Sequence, residues 1–214
     1  MKKLLSLALA LLLLAVMLPV TAMADTYTYP AGVTAESFPN EADYDIPGGS
    51  TGKAAAVVAY EKDGNVKYAA DVLTAINDGA TVLYMKEGIK GRLMAYTDFL
   101  AQPNRTPELT KNLTIYGNGA DFQYGEIAVN ISETGKAAEL TVIVYDAKNI
   151  KIWGNTPNAG VTQNYVLENC KNQGTSKEET SGELVFLWGE TGTANVSANN
   201  CSVSNVDFGI YFGC

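Results

Sequence analysis

The sequence contains no histidine. That absence removes Ser-His-Asp and Cys-His catalysis, histidine-ligated zinc, and the usual general base near neutral pH. Any chemistry falls to Asp, Glu, Lys, Arg, Tyr or Cys. Arginine is almost missing too: Arg92 and Arg105 are the only two. Lys and Arg together number 15 against 23 acids, a formal charge of −8. A chain so short of clustered cations is a poor partner for nucleic acid or an anionic membrane. Three cysteines, Cys170, Cys201 and Cys214, are too few for a disulfide scaffold. The odd count leaves one unpaired or awaiting a partner further along.

One long apolar run does exist, at the start. Met1-Lys2-Lys3 is basic, Leu4 to Val20 is almost unbroken apolar sequence, and Ala22-Met23-Ala24 is a small-x-small cleavage site. This is the pattern of a secretory signal peptide over 1–24, with cleavage after Ala24. The other reading, a retained anchor, meets a run near the lower limit for a bilayer span, with Pro19 inside it. The lysine pair and Leu/Ala core look bacterial. Removal takes away Lys2 and Lys3 and no acid, leaving 13 − 23 = −10. The expected location is secreted or cell surface, with no stable membrane span once the signal is gone.

Beyond the signal, the chain repeats itself. Asn112-Leu-Thr-Ile-Tyr-Gly-Asn-Gly119 returns as Asn149-Ile-Lys-Ile-Trp-Gly-Asn-Thr156 and more faintly as Glu183-Leu-Val-Phe-Leu-Trp-Gly-Glu190. The aromatics fall at Tyr116, Trp153 and Trp188, spaced 153 − 116 = 37 and 188 − 153 = 35. A period in that range is a repeat signature. Unequal loops between coils lengthen a shorter underlying unit, and the aliphatic-aromatic-glycine step marks one recurring corner.

Taken in order, 25–53 reads as an irregular leader or linker, with Pro30, Pro39, Pro47 and a Pro-Gly-Gly-Ser-Thr-Gly run. Its Gly48 to Lys53 is a poor phosphate loop. Ala54 follows the lysine where Ser or Thr is needed, and no strand precedes it. Residues 54–80 read as a hairpin plus capping helix. Asp63-Gly64 between two apolar runs is a tight-turn signal, because glycine tolerates positive φ. Val72, Leu73 and Ile76 share one helical face, Asp71 favours the positive helix start, and Gly79 suits a left-handed stop. Thr81 to Gly88 is then a strand ending in glycine.

The stretch Ala59-Tyr60…Lys67-Tyr-Ala-Ala-Asp-Val-Leu-Thr-Ala-Ile-Asn-Asp-Gly-Ala-Thr-Val-Leu-Tyr84 resembles the opening segment of bacterial secreted right-handed parallel β-helix proteins. That group includes the pectate-lyase-like superfamily. The resemblance covers roughly 54–214 and singles out no enzyme family. It implies a short helix capping the first coil, then stacked coils of short strands. Residues 81–214 are accordingly expected to form an all-β, right-handed parallel β-helix, a solenoid. Val206 to Cys214 is strand-like and lacks a polar cap, so the helix is expected to continue past Cys214, this chain being the N-terminal piece of a longer one.

Gly91 to Pro107 reads as a loop between coils. Leu113 and Ile115 alternate inward, Thr114 and Tyr116 outward. Leu140–Tyr145 and Ile150–Trp153 are close strands around Asp146–Asn149, rich in Val and Ile as buried parallel strands are. Two coils end in Asn-Cys, at Asn169-Cys170 and Asn200-Cys201. Asparagine at such turns accepts the left-handed region and can form amide ladders. The cysteines, 201 − 170 = 31 apart, can stack as small apolar residues or form a disulfide if their Cα atoms come within about 7 Å. Asn195 to Phe212 looks like most of one uninterrupted coil.

Tyr116, Trp153 and Trp188 are the candidate ligand-binding residues. Should their coils be neighbours, the rings line up on one outer face about 4.8 Å apart per coil. Aromatic faces stack on the apolar faces of sugars. The plainer reading is that loops cover the rings or that each packs locally. Acid pairs are sparse. Glu178-Glu179 and Asp43-x-Asp45 lie in expected loops, where solvated charge is the default. The matches to glycosylation acceptors at Asn112, Asn130 and Asn195 are better explained by polar turns.

The function expected is a structural or adhesive exported β-helix protein, with polysaccharide or a host or cell-wall glycan as partner. No catalytic residue, metal site or cofactor is assigned. The alternative is a polysaccharide lyase or glycoside hydrolase of β-helix fold, with its site in missing coils or loops. Calcium enters only under that alternative.

Overall fold

The computed structural model describes residues 27–46, 50–91, 93, 109, 111–130, 139–156, 160–174, 183–189, 191–206 and 208–213. The signal segment, most of the 91–107 loop, Glu178-Glu179 and Cys214 lie outside them.

Asp63 (φ 54°) and Gly64 (φ 75°) both take the left-handed conformation a two-residue hairpin needs. They join β3 (Val58–Lys62) to β4 (Asn65–Ala69), antiparallel, with Lys62 opposite Asn65. The helix Val72–Asn77 follows. Asp71 caps it, its carboxylate accepting from the Thr74 amide at 2.7 Å, and Gly79 (φ 94°) ends it. Val72, Leu73 and Ala75 are buried, so the helix closes one end of the core.

From β5 (Val82–Met85) onward the chain coils into an all-β solenoid of about three turns. Its long strands are β6 (Leu113–Asn130) and β7 (Glu139–Thr156). The rest are β8 (Thr162–Glu168), β9 (Lys171–Gln173), β10 (Val185–Gly189), β11 (Thr193–Asn199), β12 (Ser202–Ser204) and β13 (Ile210–Gly213). Each coil has three faces, and all pairings between coils are parallel. The first face stacks β5, Leu113–Tyr116, the start of β7, β8 and β11. The second stacks Ala120–Asp121, Ala147–Lys148, β9 and β12. The third stacks Gly125–Asn130, Ile150–Thr156, β10 and β13.

Alternation on these faces builds the core. Leu83, Ile115, Val144 and Leu167 form one fully buried inward column on the first face. Ile127, Ile152 and Val185 form another on the third. No coil buries its apolar side alone; the neighbour supplies the contact.

The corners are polar and left-handed. Asn118, Asp146, Asn169 and Asn200 turn the chain from first to second face, all with φ between 49° and 56° except Asp146 at 47°. Short Asn and Asp side chains tolerate this region better than other residues. The Asn200 amide donates to Asn169 Oδ1 at 2.5 Å, the ladder expected of the paired Asn-Cys words. Cys170 is buried and Cys201 half-buried at the next position inward, both as free thiols. Asn195 donates to Asn164 at 2.9 Å, and Asn112 accepts from the Thr141 amide at 3.0 Å, so both sit in hydrogen-bonded positions between coils.

The described part of the leader contains a short hairpin. β1 (Ala42–Ile46) and β2 (Ser50–Ala54) pair antiparallel, placing Asp43 opposite Lys53 on strands and not in a loop. Phe38 is buried against Tyr29 and Tyr68, edge to face. Asn118 exchanges two bonds with the Thr28 backbone, both at 2.9 Å. The segment is held by scattered aromatic and amide contacts that have no period to reveal them.

Candidate functional site

Outward residues on each face stack from coil to coil, and the register decides which rings meet. On the first face Tyr84, Tyr116 and Tyr145 are register partners. Their rings lie 5.2 and 5.1 Å apart with interplanar angles of 8° and 12°. Tyr116 therefore has both faces covered by neighbouring tyrosines. Burial pushes the Tyr84 hydroxyl above its ordinary range.

Tyr116 does not share a column with the tryptophans. Trp153 stands on the third face, opposite Ala128 on one side and Phe186 on the other. Trp188 pairs with Asn155 and Gly213, one outward column further along. The single column of Tyr116, Trp153 and Trp188 is thus corrected to three separate columns on two faces. The reason lies in the glycines of the repeated word, which serve different needs. At Gly117 a Cβ would collide with the Asp146 carbonyl oxygen, a backbone corner. At Gly154 it would meet the Tyr165 hydroxyl and Leu187 across the core. The words look alike, but they do not occupy one place in the coil.

The third face holds a different aromatic group. Trp153, Phe186 and Tyr211 are successive register partners. Phe186 and Tyr211 stack at 4.7 Å and 12°. Phe208 meets Tyr211 edge-on at 5.6 Å. Trp188 lies beside this stack and is 45% exposed. Its ring extends over Gly213, where a Cβ would sit 2.6 Å from Cε3. Glycine there lets the indole lie flat against the sheet. One edge of the patch is polar: Lys151 pairs with Glu126 at 3.4 Å and reaches over the Phe186 ring at 5.8 Å. The register also explains why Phe186 and Tyr211 escaped the repeat. The word that marks their column is β-branched then aromatic, as Ile152-Trp153, Val185-Phe186 and Ile210-Tyr211, with no glycine required.

Chemically the patch offers apolar rings and one ion pair. No group of three or more Cys, Asp or Glu that could hold a metal ion occurs among the described residues. No helix among them is long and apolar enough to cross a membrane. Compared with family models, curated proteins and solved structures, the chain matches none, so its geometry alone carries a functional reading.

Proposed function

We propose that this chain is an exported bacterial β-solenoid of the pectate-lyase-like kind. It serves as a structural and adhesive surface module that holds polysaccharide along its third face. The observation that carries this reading is Trp188, 45% exposed, laid over Gly213 beside the Trp153–Phe186–Tyr211 column. Sugar rings present apolar C–H faces that stack on aromatic surfaces, and tryptophan gives the largest one. Rungs about 4.8 Å apart repeat that surface along the solenoid axis, which suits an extended chain better than a compact ligand. Few cations and a net charge of −8 favour a neutral glycan over nucleic acid.

The test is glycan-array binding by the purified chain and two variants. Trp188→Ala is expected to weaken binding at least about tenfold, the usual scale for an exposed aromatic anchor. Tyr116→Ala, its ring enclosed between two others, is expected to leave binding within about twofold. Unchanged binding by Trp188→Ala refutes the proposal. Release of unsaturated or reducing-end product from pectin, with or without calcium, refutes the adhesive role.

A further inference from the structure

A concave site lies at the other end of the molecule, where the hairpins meet the capping helix. Tyr44, Tyr60, Tyr68, Thr74, Asn77 and Asp78 line a cleft of about 320 Å³. Asp43 completes its rim. The volume is at the lower end of the range for small-molecule sites. Four elements contribute: β1, β3, β4 and the helix. Three tyrosines converge from three different strands, and no periodic pattern in the sequence requires them to.

The cleft is fixed in place by charge. Asp78 accepts from Lys62 Nζ at 2.7 Å, from Lys67 Nζ at 3.0 Å and from the Tyr60 hydroxyl at 2.9 Å. The two lysines and Tyr60 hold its carboxyl well below the usual range. Burial pushes the Tyr60 hydroxyl up, so it stays a protonated donor. Asp78 is therefore a neutralised, oriented acceptor. Tyr68 is anchored from behind by Phe38, edge to face at 5.3 Å. Tyr44 packs on the same small cluster.

The lining selects by exclusion. Its nearest cations, Lys62 and Lys67, are both paired with Asp78, so a phosphate or sulfate would have to compete with that carboxylate for them. It carries an amide, four hydroxyls and two carboxylates, a lining too polar for a purely apolar ligand. A cation would find only Asp43, because Asp78 already holds two ammonium groups, so the lining favours a compact, neutral, hydroxyl-rich ligand with an apolar face. We infer that this cleft is a binding site for one neutral sugar residue. Tyrosine rings take the C–H face, and Asp43 and Asn77 take the hydroxyls. The site stands apart from the aromatic strip and does not rest on the reading of the third face.

The experiment is saturation-transfer NMR with the full mature chain and four probes: D-galactose, N-acetyl-D-glucosamine, D-galacturonate and choline. At least one neutral sugar is expected to bind with a dissociation constant of a few millimolar or tighter, roughly the range of a minimal ligand. D-Galacturonate, which brings a carboxylate toward Asp43, is expected to bind at least threefold more weakly than D-galactose. Asn77→Ala, at an exposed position, and Asp43→Asn are each expected to weaken sugar binding at least fivefold with melting temperature unchanged. Trp188→Ala is expected to leave this binding intact, which separates it from the outer strip. Binding by neither neutral sugar overturns the inference. So does preferred binding of choline, or sugar binding that survives both cleft variants.

Discussion

Asn172 should be a costly polar side chain to remove. It is buried, 3% exposed, at the centre of β9. Its amide nitrogen donates to the Ile150 carbonyl at 2.5 Å and the Glu183 carbonyl at 3.0 Å. Its amide oxygen accepts from the Ile150 amide at 3.2 Å. One side chain thus satisfies three buried backbone groups. Asn172→Ala leaves all three without that partner. A buried unsatisfied group costs about 1–3 kcal/mol, and the terms are not additive, so roughly 2–5 kcal/mol is expected. For a chain of this size that is a melting shift of about 5–15 °C. Asn164→Ala is the control. Its amide donates to Glu139 at 3.1 Å in an exposed ladder, and its loss should cost under about 1 kcal/mol. Asn172→Asp should be at least as damaging as Asn172→Ala, because a carboxylate cannot donate to two carbonyls. Urea unfolding followed by circular dichroism measures all three. A loss for Asn172→Ala within about 1 kcal/mol of the Asn164→Ala value refutes the assigned role.

Two further outcomes follow from the interior. Gly154→Ala places a methyl against the Tyr165 hydroxyl and 2.9 Å from Leu187, so about 1–3 kcal/mol of stability should be lost in the same urea assay. A loss below about 0.5 kcal/mol would mean the site can relax. The two paired-coil thiols should differ in reactivity: iodoacetamide at pH 8 should label half-buried Cys201 well before buried Cys170. Burial pushes the Cys170 thiol from 9.0 up to about 12. A raised folded value means the contribution is whole below pH 9 and is lost as pH rises toward 12. Cys170→Ala should therefore flatten the loss of stability between pH 9 and pH 11, and an unchanged slope would contradict it.

The strands were legible because local alternation and burial agree. Leu113 and Ile115 point in, and Tyr116 points out. The hairpin at Asp63-Gly64 and the stop at Gly79 were legible because only a few residues accept positive φ. The Asn-Cys words marked a true corner, since Asn169 and Asn200 face the same backbone requirement one coil apart. The aromatic column was not legible in that way. Coil lengths vary from 23 residues between Val144 and Leu167 to 33 between Ile152 and Val185, so equal spacing in sequence does not mean equal register. Glycine misled the alignment because Gly117 relieves a backbone approach and Gly154 makes room for Tyr165. The cap cleft could not be read at all. Tyr44, Tyr60 and Tyr68 meet through tertiary packing of separate hairpins, which leaves no spacing signature.

With two tryptophans in the chain, the central claim has a direct measurement. Indole N–H resonances of Trp153 and Trp188 can be followed as a glycan selected on the array is added. The account predicts that the Trp188 resonance moves most and saturates with the binding curve. Trp153 should follow weakly through the Phe186 column. A glycan that binds while the Trp188 indole stays in place would contradict the account.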